Sequence, residues 1–263
     1  MKTVILAGGF GTRIAEESMF KPKPMVEIGG MPILWHIMKH YSSFGFQEFV
    51  ICAGYRQNII KEWFANYYLH TSDVTFDFKE HNRLIVHKSD SEPWRVTIAD
   101  TGLNTMTGGR IKRIQNYVSN EPFFLTYGDA VSNVNLKRLL EFHRGHGKAV
   151  TLTTVNIAQQ KGVLSIGKDN TIVSFREKVE EDGAIINGGF MVCNPEIFEY
   201  LHDDQTVLEQ EPMRELAGKG ELKSFFHNGF WQCMDTKREK DLLEKLWASG
   251  DAPWKTWTDV QTD

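Results

Sequence analysis

The chain has 263 residues, enough for one large α/β domain or two small ones with a substantial core. Its formal net charge is −4, so there is no basic excess to hold a polyanion, and no nucleic-acid partner is expected. Three widely separated cysteines, Cys52, Cys193 and Cys233, lack C-x-x-C spacing, which argues against a disulfide framework or zinc knuckle and points to a reducing cytoplasm.

Residues 2–7 form a short apolar run that predicts a buried strand. It is too short for a signal peptide, and no stretch approaches a transmembrane span, so a cytoplasmic protein without membrane contact is expected. Gly8, Gly9 and Gly11 follow at once and let the backbone close on a ligand. Glycine-rich turns leaving a strand aim N–H groups at anions, and Arg13 and Lys23 add charge nearby. Neither a P-loop nor a dinucleotide fingerprint fits: no Lys-Ser or Lys-Thr follows at P-loop spacing, and Ile14 stands where the third fingerprint glycine belongs.

Apolar spacing predicts a helix over 32–44 with Gly45 at its C-cap, a strand over 48–53 and a helix over 57–68. This order implies right-handed βαβ units in a mostly parallel sheet. Two short strands are expected within 71–93 and another over 96–100. Thr107-Gly108-Gly109-Arg110 then opens an amphipathic stretch. A dense apolar strand over 122–127 stops at Gly128-Asp129, placing an aspartate where open α/β sheets bind ligands.

A helix over 135–147 and a β-branched strand over 148–155 close this half. Residues 163–166 and 171–175 predict a hairpin, followed by one continuous strand over 185–192; this more antiparallel portion is expected to carry an acceptor pocket. Helical signals from 195 and over 206–217 precede a strand over 222–226, the run Gly229 to Asp235, and a last helix over 236–247. Trp254 and Trp257 in the tail are expected to pack onto the body or a neighbouring subunit. With no repeat or low-complexity linker, the expectation is a single domain over 1–263. Within it, 1–155 would serve mainly the nucleotide, 156–235 mainly a sugar phosphate, and 236–263 would be a terminal helix and tail.

The string G-G-x-G-T-R with K-P-K-P-M downstream resembles the signature of sugar-nucleotide pyrophosphorylases, nucleotidyltransferases that join a nucleoside triphosphate to a sugar 1-phosphate. Further along, GGRIKR, TYGD, REK, INGGF and FWQCMDT extend the resemblance over nearly the whole chain to the bacterial glucose-1-phosphate cytidylyltransferase family. The resemblance implies a Rossmann-like sheet flanked by helices, CTP and glucose 1-phosphate as substrates, Mg²⁺ as cofactor, pyrophosphate release, a homo-oligomer and a route into surface polysaccharide.

By motif, the resemblance assigns Leu6, Ala7, Gly8, Gly9, Phe10, Gly11, Thr12, Arg13, Lys23, Thr105, Arg110 and Gly128 to the nucleotide, with Arg13 and Lys23 catalytic. It assigns Asp129 and Asp235 to the metal and Glu177, Lys178 and Asn187 to the sugar phosphate. The chemistry suits such a set. In-line transfer needs positioning and charge more than covalent help, and Mg²⁺ takes a few hard carboxylate oxygens plus substrate phosphates.

Each residue also admits a plainer role. The rival readings are Lys23 and Arg13 as solvated bases, Asp129 and Asp235 as helix caps, Lys178 as half of an exposed pair with Glu177, and Arg110 as a first-turn helix residue; the motif context favours the site roles over them. His36 and His40 lack the Glu of a zinc helix and read as packing or surface residues. The sequence departs from the family at Gln160, Lys161 and Val179, at Ala130 where glycine is usual, and at Cys233 where proline is usual. Most departures fall on the acceptor side, which makes CTP the firmer substrate and leaves open another phosphorylated acceptor. The rival readings are the same fold with another triphosphate and a catalytically silent nucleotide-sensing subunit; intact Lys23, Asp129 and Asp235 speak against the last.

Overall fold

The structure, a computed structural model, describes residues 1–11, 20–89, 91–118, 120–157, 163–166, 172–176 and 184–258. Strand β1 (Thr3–Ala7) is followed by the small ribbon β2 (Glu27–Ile28) and β3 (Met31–Pro32), helix α1 (Ile33–Ser43), β4 (Glu48–Ala53) and α2 (Gln57–His70). The hairpin β5 (Ser72–Asp77) and β6 (Arg83–Ser89) leads to β7 (Arg95–Asp100), α3 (Thr107–Arg113), α4 (Gln115–Val118), β8 (Phe123–Tyr127) and β9 (Ala130–Ser132). Then come α5 (Leu136–His146), β10 (Val150–Ile157), β11 (Val163–Ile166), β12 (Ile172–Arg176), β13 (Ala184–Asn187) and β14 (Met191–Cys193). The chain ends with α6 (Glu211–Gly218), β15 (Leu222–His227), β16 (Trp231–Cys233) and α7 (Lys237–Ala248).

Parallel pairings join β7 to β4, β4 to β1 and β1 to β8, and β14 runs against both β8 and β10. β10 also pairs with β15 in parallel and with β13 antiparallel. This is the mostly parallel sheet with an antiparallel edge portion that the chain order implied. Period-two alternation divides the core between its two faces. Ile5, Phe49, Ile51 and Phe124 pack with α1, Leu136 and Leu243, whereas Val4, Val50, Phe123 and Leu125 pack with Ile111, Ile114 and Leu216.

Three expectations are corrected. Residues 185–192 do not form one strand: Gly189 has φ 71° and the buried Phe190 φ 43°, and the ladder breaks there. Asn187 opposes Thr154 and Val192 opposes Thr151, five steps against three, so the Gly188–Gly189 bend absorbs two extra residues. The helix expected over 206–217 begins only at Glu211, with Pro212 in its first turn. The segment from 195 is a 3-10 turn, Pro195–Tyr200.

The tail packs on the body. Trp254 is fully buried, and its indole N–H donates to His36 Nδ1 at 3.3 Å. Among the described residues no helix is long and apolar enough to cross a membrane.

Candidate active site

The parallel strands β1, β4, β7 and β8 end together, and beyond their C-terminal ends lies a cavity of about 580 Å³. It is lined by Leu6 to Gly11, Lys23, Pro24, Leu103 to Thr107, Arg110, Tyr127 to Asp129, Gln205 and Asp235. The expected residues Leu6, Ala7, Gly8, Gly9, Phe10, Gly11, Lys23, Thr105, Arg110, Gly128, Asp129 and Asp235 thus meet at one place. Thr12, Arg13, Glu177 and Lys178 lie outside the described residues, as do Gln160, Lys161 and Val179.

Lys23 is held by a stiff turn. Pro22 and Pro24 flank it, the Met25 N–H donates to the Pro22 carbonyl at 2.8 Å, and the Val26 N–H donates to the Lys23 carbonyl at 3.0 Å. The side chain is buried, and its ammonium donates to Asp129 Oδ2 at 2.5 Å and to Asp235 Oδ1. Burial by itself lowers the Lys23 pKa, but the carboxylates of Asp129 and Asp235 overcome it and hold the group above the ordinary lysine value. Lys23 is therefore a charged, positioned cation and not a solvated base.

A two-stranded ribbon brings the aspartates together. β9 leaves Asp129 and pairs antiparallel with β16, Ala130 opposite Cys233, and the Met234 N–H donates to the Asp129 carbonyl at 2.8 Å. The two residues that depart from the family pattern here, Ala130 and Cys233, are thus cross-strand partners. Neither aspartate is spent as a cap: the Asn135 side chain caps α5, and Thr236 caps α7 in a capping box with Glu239. The Cys233 thiol is pushed up to about 12 by burial and by Glu239, Asp235 and Asp129, which favours its protonated form.

Arg110 is not an exposed first-turn residue. Its buried guanidinium donates to Gly8 O at 3.0 Å, Gly102 O at 2.7 Å, Leu103 O at 3.2 Å and Thr101 Oγ1 at 2.8 Å. It ties the glycine turn after β1 to the loop after β7, so its first effect is on the shape of the floor. Thr105 is buried in that loop.

Asn187 does not line the cavity, but its Nδ2 reaches the Tyr127 hydroxyl at 3.3 Å, and Tyr127 does line it. Sequence reasoning missed Tyr127, Pro24, Leu103, Asn104, Met106, Thr107 and Gln205. Tyr127, Pro24 and Thr107 stand inside quoted motifs, whereas Gln205 sits in a loop with no local signal.

A glycine turn at the end of a parallel strand, facing a lysine clasped by two aspartates, suits the transfer of a phosphate-bearing group. The chain belongs to the nucleotidyl transferase family, whose model matches residues 2–260. It is similar to the glucose-1-phosphate cytidylyltransferase of Salmonella typhimurium strain LT2, with 55% identity over 258 residues, 98% of this chain and 100% of that protein. The same figures hold for the glucose-1-phosphate cytidylyltransferase of Salmonella typhi. Among solved structures, HddC from Yersinia pseudotuberculosis aligns with TM-score 0.68 at 22% identity over 94% of this chain and 99% of its own. An apo UDP-glucose pyrophosphorylase aligns with TM-score 0.65 at 16% identity over 95% and 99%. At such identities these two structures speak for the fold alone, a Rossmann-like α/β sheet.

Proposed function

We propose that this protein is a glucose-1-phosphate cytidylyltransferase, converting CTP and α-D-glucose 1-phosphate into CDP-glucose and pyrophosphate. The observation that carries the chemistry is the meeting of Lys23, Asp129 and Asp235 beside the glycine turn. The base and the sugar come from the full-length similarity to enzymes of that name.

An oxygen of the acceptor phosphate attacks the α-phosphorus in line, and the bond from that phosphorus to the departing pyrophosphate breaks. Backbone N–H groups of Gly8 to Gly11, with Thr12 and Arg13, cradle the triphosphate, while Thr105 and Gly128 shape the nucleotide end. Lys23 stabilises charge that builds on the transferring group. Arg110 holds the floor beneath. Glu177, Lys178 and Asn187 serve the sugar phosphate.

Asp129 and Asp235 fit a divalent cation, because their hard oxygens converge on one point that the Lys23 ammonium occupies in this structure. Mg²⁺ bound there would neutralise charge on the phosphate oxygens. The chain works as a single domain, as a homo-oligomer in the cytoplasm, and its product is an activated sugar for surface polysaccharide.

Pyrophosphate release measured on a panel of four nucleoside triphosphates and several sugar 1-phosphates tests this reading. CTP with glucose 1-phosphate should give the highest kcat/KM. A different preferred pair would replace the substrate assignment, and CTP binding without release would favour a silent sensing subunit.

A further inference from the structure

We infer that Glu209 is a positioning residue for the acceptor: it fixes the Tyr127 hydroxyl so that the phenolic oxygen keeps a lone pair for a hydroxyl of the sugar phosphate. The inference rests on the reading of the cavity as a sugar-nucleotide site. Tyr127 ends β8 and lines the cavity, next to Gly128 and Asp129. Its hydroxyl donates to Glu209 Oε1 at 2.6 Å and lies 3.3 Å from Asn187 Nδ2.

The direction of each bond follows from inventory. The Gly189 N–H donates to Asn187 Oδ1 at 2.8 Å, so the amide NH₂ of Asn187 faces Tyr127 and donates to it. A phenol has one proton and two lone pairs; the proton goes to Glu209 and one lone pair takes Asn187. A single lone pair remains, so Tyr127 meets a ligand only as an acceptor. Burial, then the neighbouring Glu209 charge, raises the phenol pKa, which keeps that proton in place.

Glu209 is exposed, yet its carboxylate is anchored at both oxygens. Thr107 Oγ1 donates to Oε2 at 2.6 Å, and the Leu208 N–H donates to the same hydroxyl at 2.9 Å. Asn187, Tyr127, Glu209 and Thr107 therefore form one network from β13 across the end of β8 to the first turn of α3, its bonds donated toward the Glu209 carboxylate from both sides. It links the antiparallel edge of the sheet to the loop that floors the nucleotide end. Without Glu209 the phenol could rotate and offer its proton to the ligand, and the preference for a donating hydroxyl at that point would be lost.

The test is steady-state kinetics of the full chain with CTP and glucose 1-phosphate, comparing wild type, E209A, Y127F and the double variant, with Tm as the check on folding. E209A removes the acceptor of the phenol proton. E209A and Y127F should each raise the KM for glucose 1-phosphate about tenfold, leave the KM for CTP within about twofold, and together cost no more than either alone. An unmoved acceptor KM, equal damage to both substrates, or additive losses would overturn the role of Glu209. Wild-type protein that releases no pyrophosphate from this pair would overturn the parent reading and this one together. Wild-type turnover with an unmoved E209A overturns this one alone. Should E209A fail to fold, Y127F decides by the same split between the two KM values.

Discussion

The guanidinium of Arg110 fills the space that a Cβ on Gly8 would need: Nη1 lies 2.2 Å from where that carbon would stand. At Gly9 nothing lies within 4 Å of the corresponding point. The two glycines thus have different causes, one set by the protein and one left open toward the cavity. G8A should push Arg110 off its carbonyl acceptors and lower stability by about 1–3 kcal/mol, whereas G9A should leave the Tm nearly unchanged. Calorimetric melts of both variants check this, and equal Tm values would contradict it.

Lys23 stands on the point toward which two carboxylates converge. K23A should lower kcat about 10²–10³-fold with the KM for CTP changed only a few-fold, since the charge acts on the transition state. The same variant leaves Asp129 and Asp235 facing each other without a counter-charge. It should therefore bind Mn²⁺ in the absence of nucleotide about tenfold tighter than wild type, read by titration calorimetry. Near-normal turnover in K23A would remove the lysine from the chemistry.

Asp235 and Thr236 are neighbours with separable duties. T236A removes the cap of α7 and should cost about 1 kcal/mol of stability with modest change in turnover. D235N leaves the capping box intact and should abolish most activity while moving the Tm little. Activity and melting measured on both variants give the comparison; matching profiles would mean that Asp235 is structural after all.

His36 is held neutral by geometry. Its Nε2 donates to the Ile28 carbonyl at 2.8 Å, and its Nδ1 accepts the Trp254 indole N–H, so protonation would break the second bond. Burial lowers its pKa to about 4 from 6.5, and that of His40 likewise to about 4. Below pH 6.5 the unfolded chain takes up these protons and the folded one does not. Stability is full above that pH and falls as the pH drops toward 4, by roughly 3 kcal/mol per histidine. A histidine NMR titration should show both rings neutral at pH 5.5, and a Tm that stays flat between pH 7.5 and 5 would refute the argument.

Much of the sheet was legible because its parallel strands are short continuous apolar runs closed by glycine, the pattern of strands buried on both faces. Strand β4 begins and ends where its pattern does, at Glu48 and Ala53. The break at Gly189-Phe190 was not legible, because an apolar run with two glycines reads the same straight or bent; the register against β10 imposes the bend. Arg110 was legible as a site residue but not as the clamp on Gly8, since backbone carbonyls that accept its protons leave no trace in residue type.

From its residues alone, this chain is a βαβ protein with an anion turn at Gly8 to Gly11, a lysine between prolines and two aspartates at strand ends. Those features are local, set by backbone freedom, fixed φ and hydrophobic period. That Lys23 would stand between Asp129 and Asp235, 106 and 212 residues away, depended on the pairing of β9 with β16. The bonds from Asn187 through Tyr127 to Glu209 likewise join residues 60 and 82 positions apart. Contacts across such separations are decided when the sheet closes and the ribbon finds its register, which no local spacing encodes.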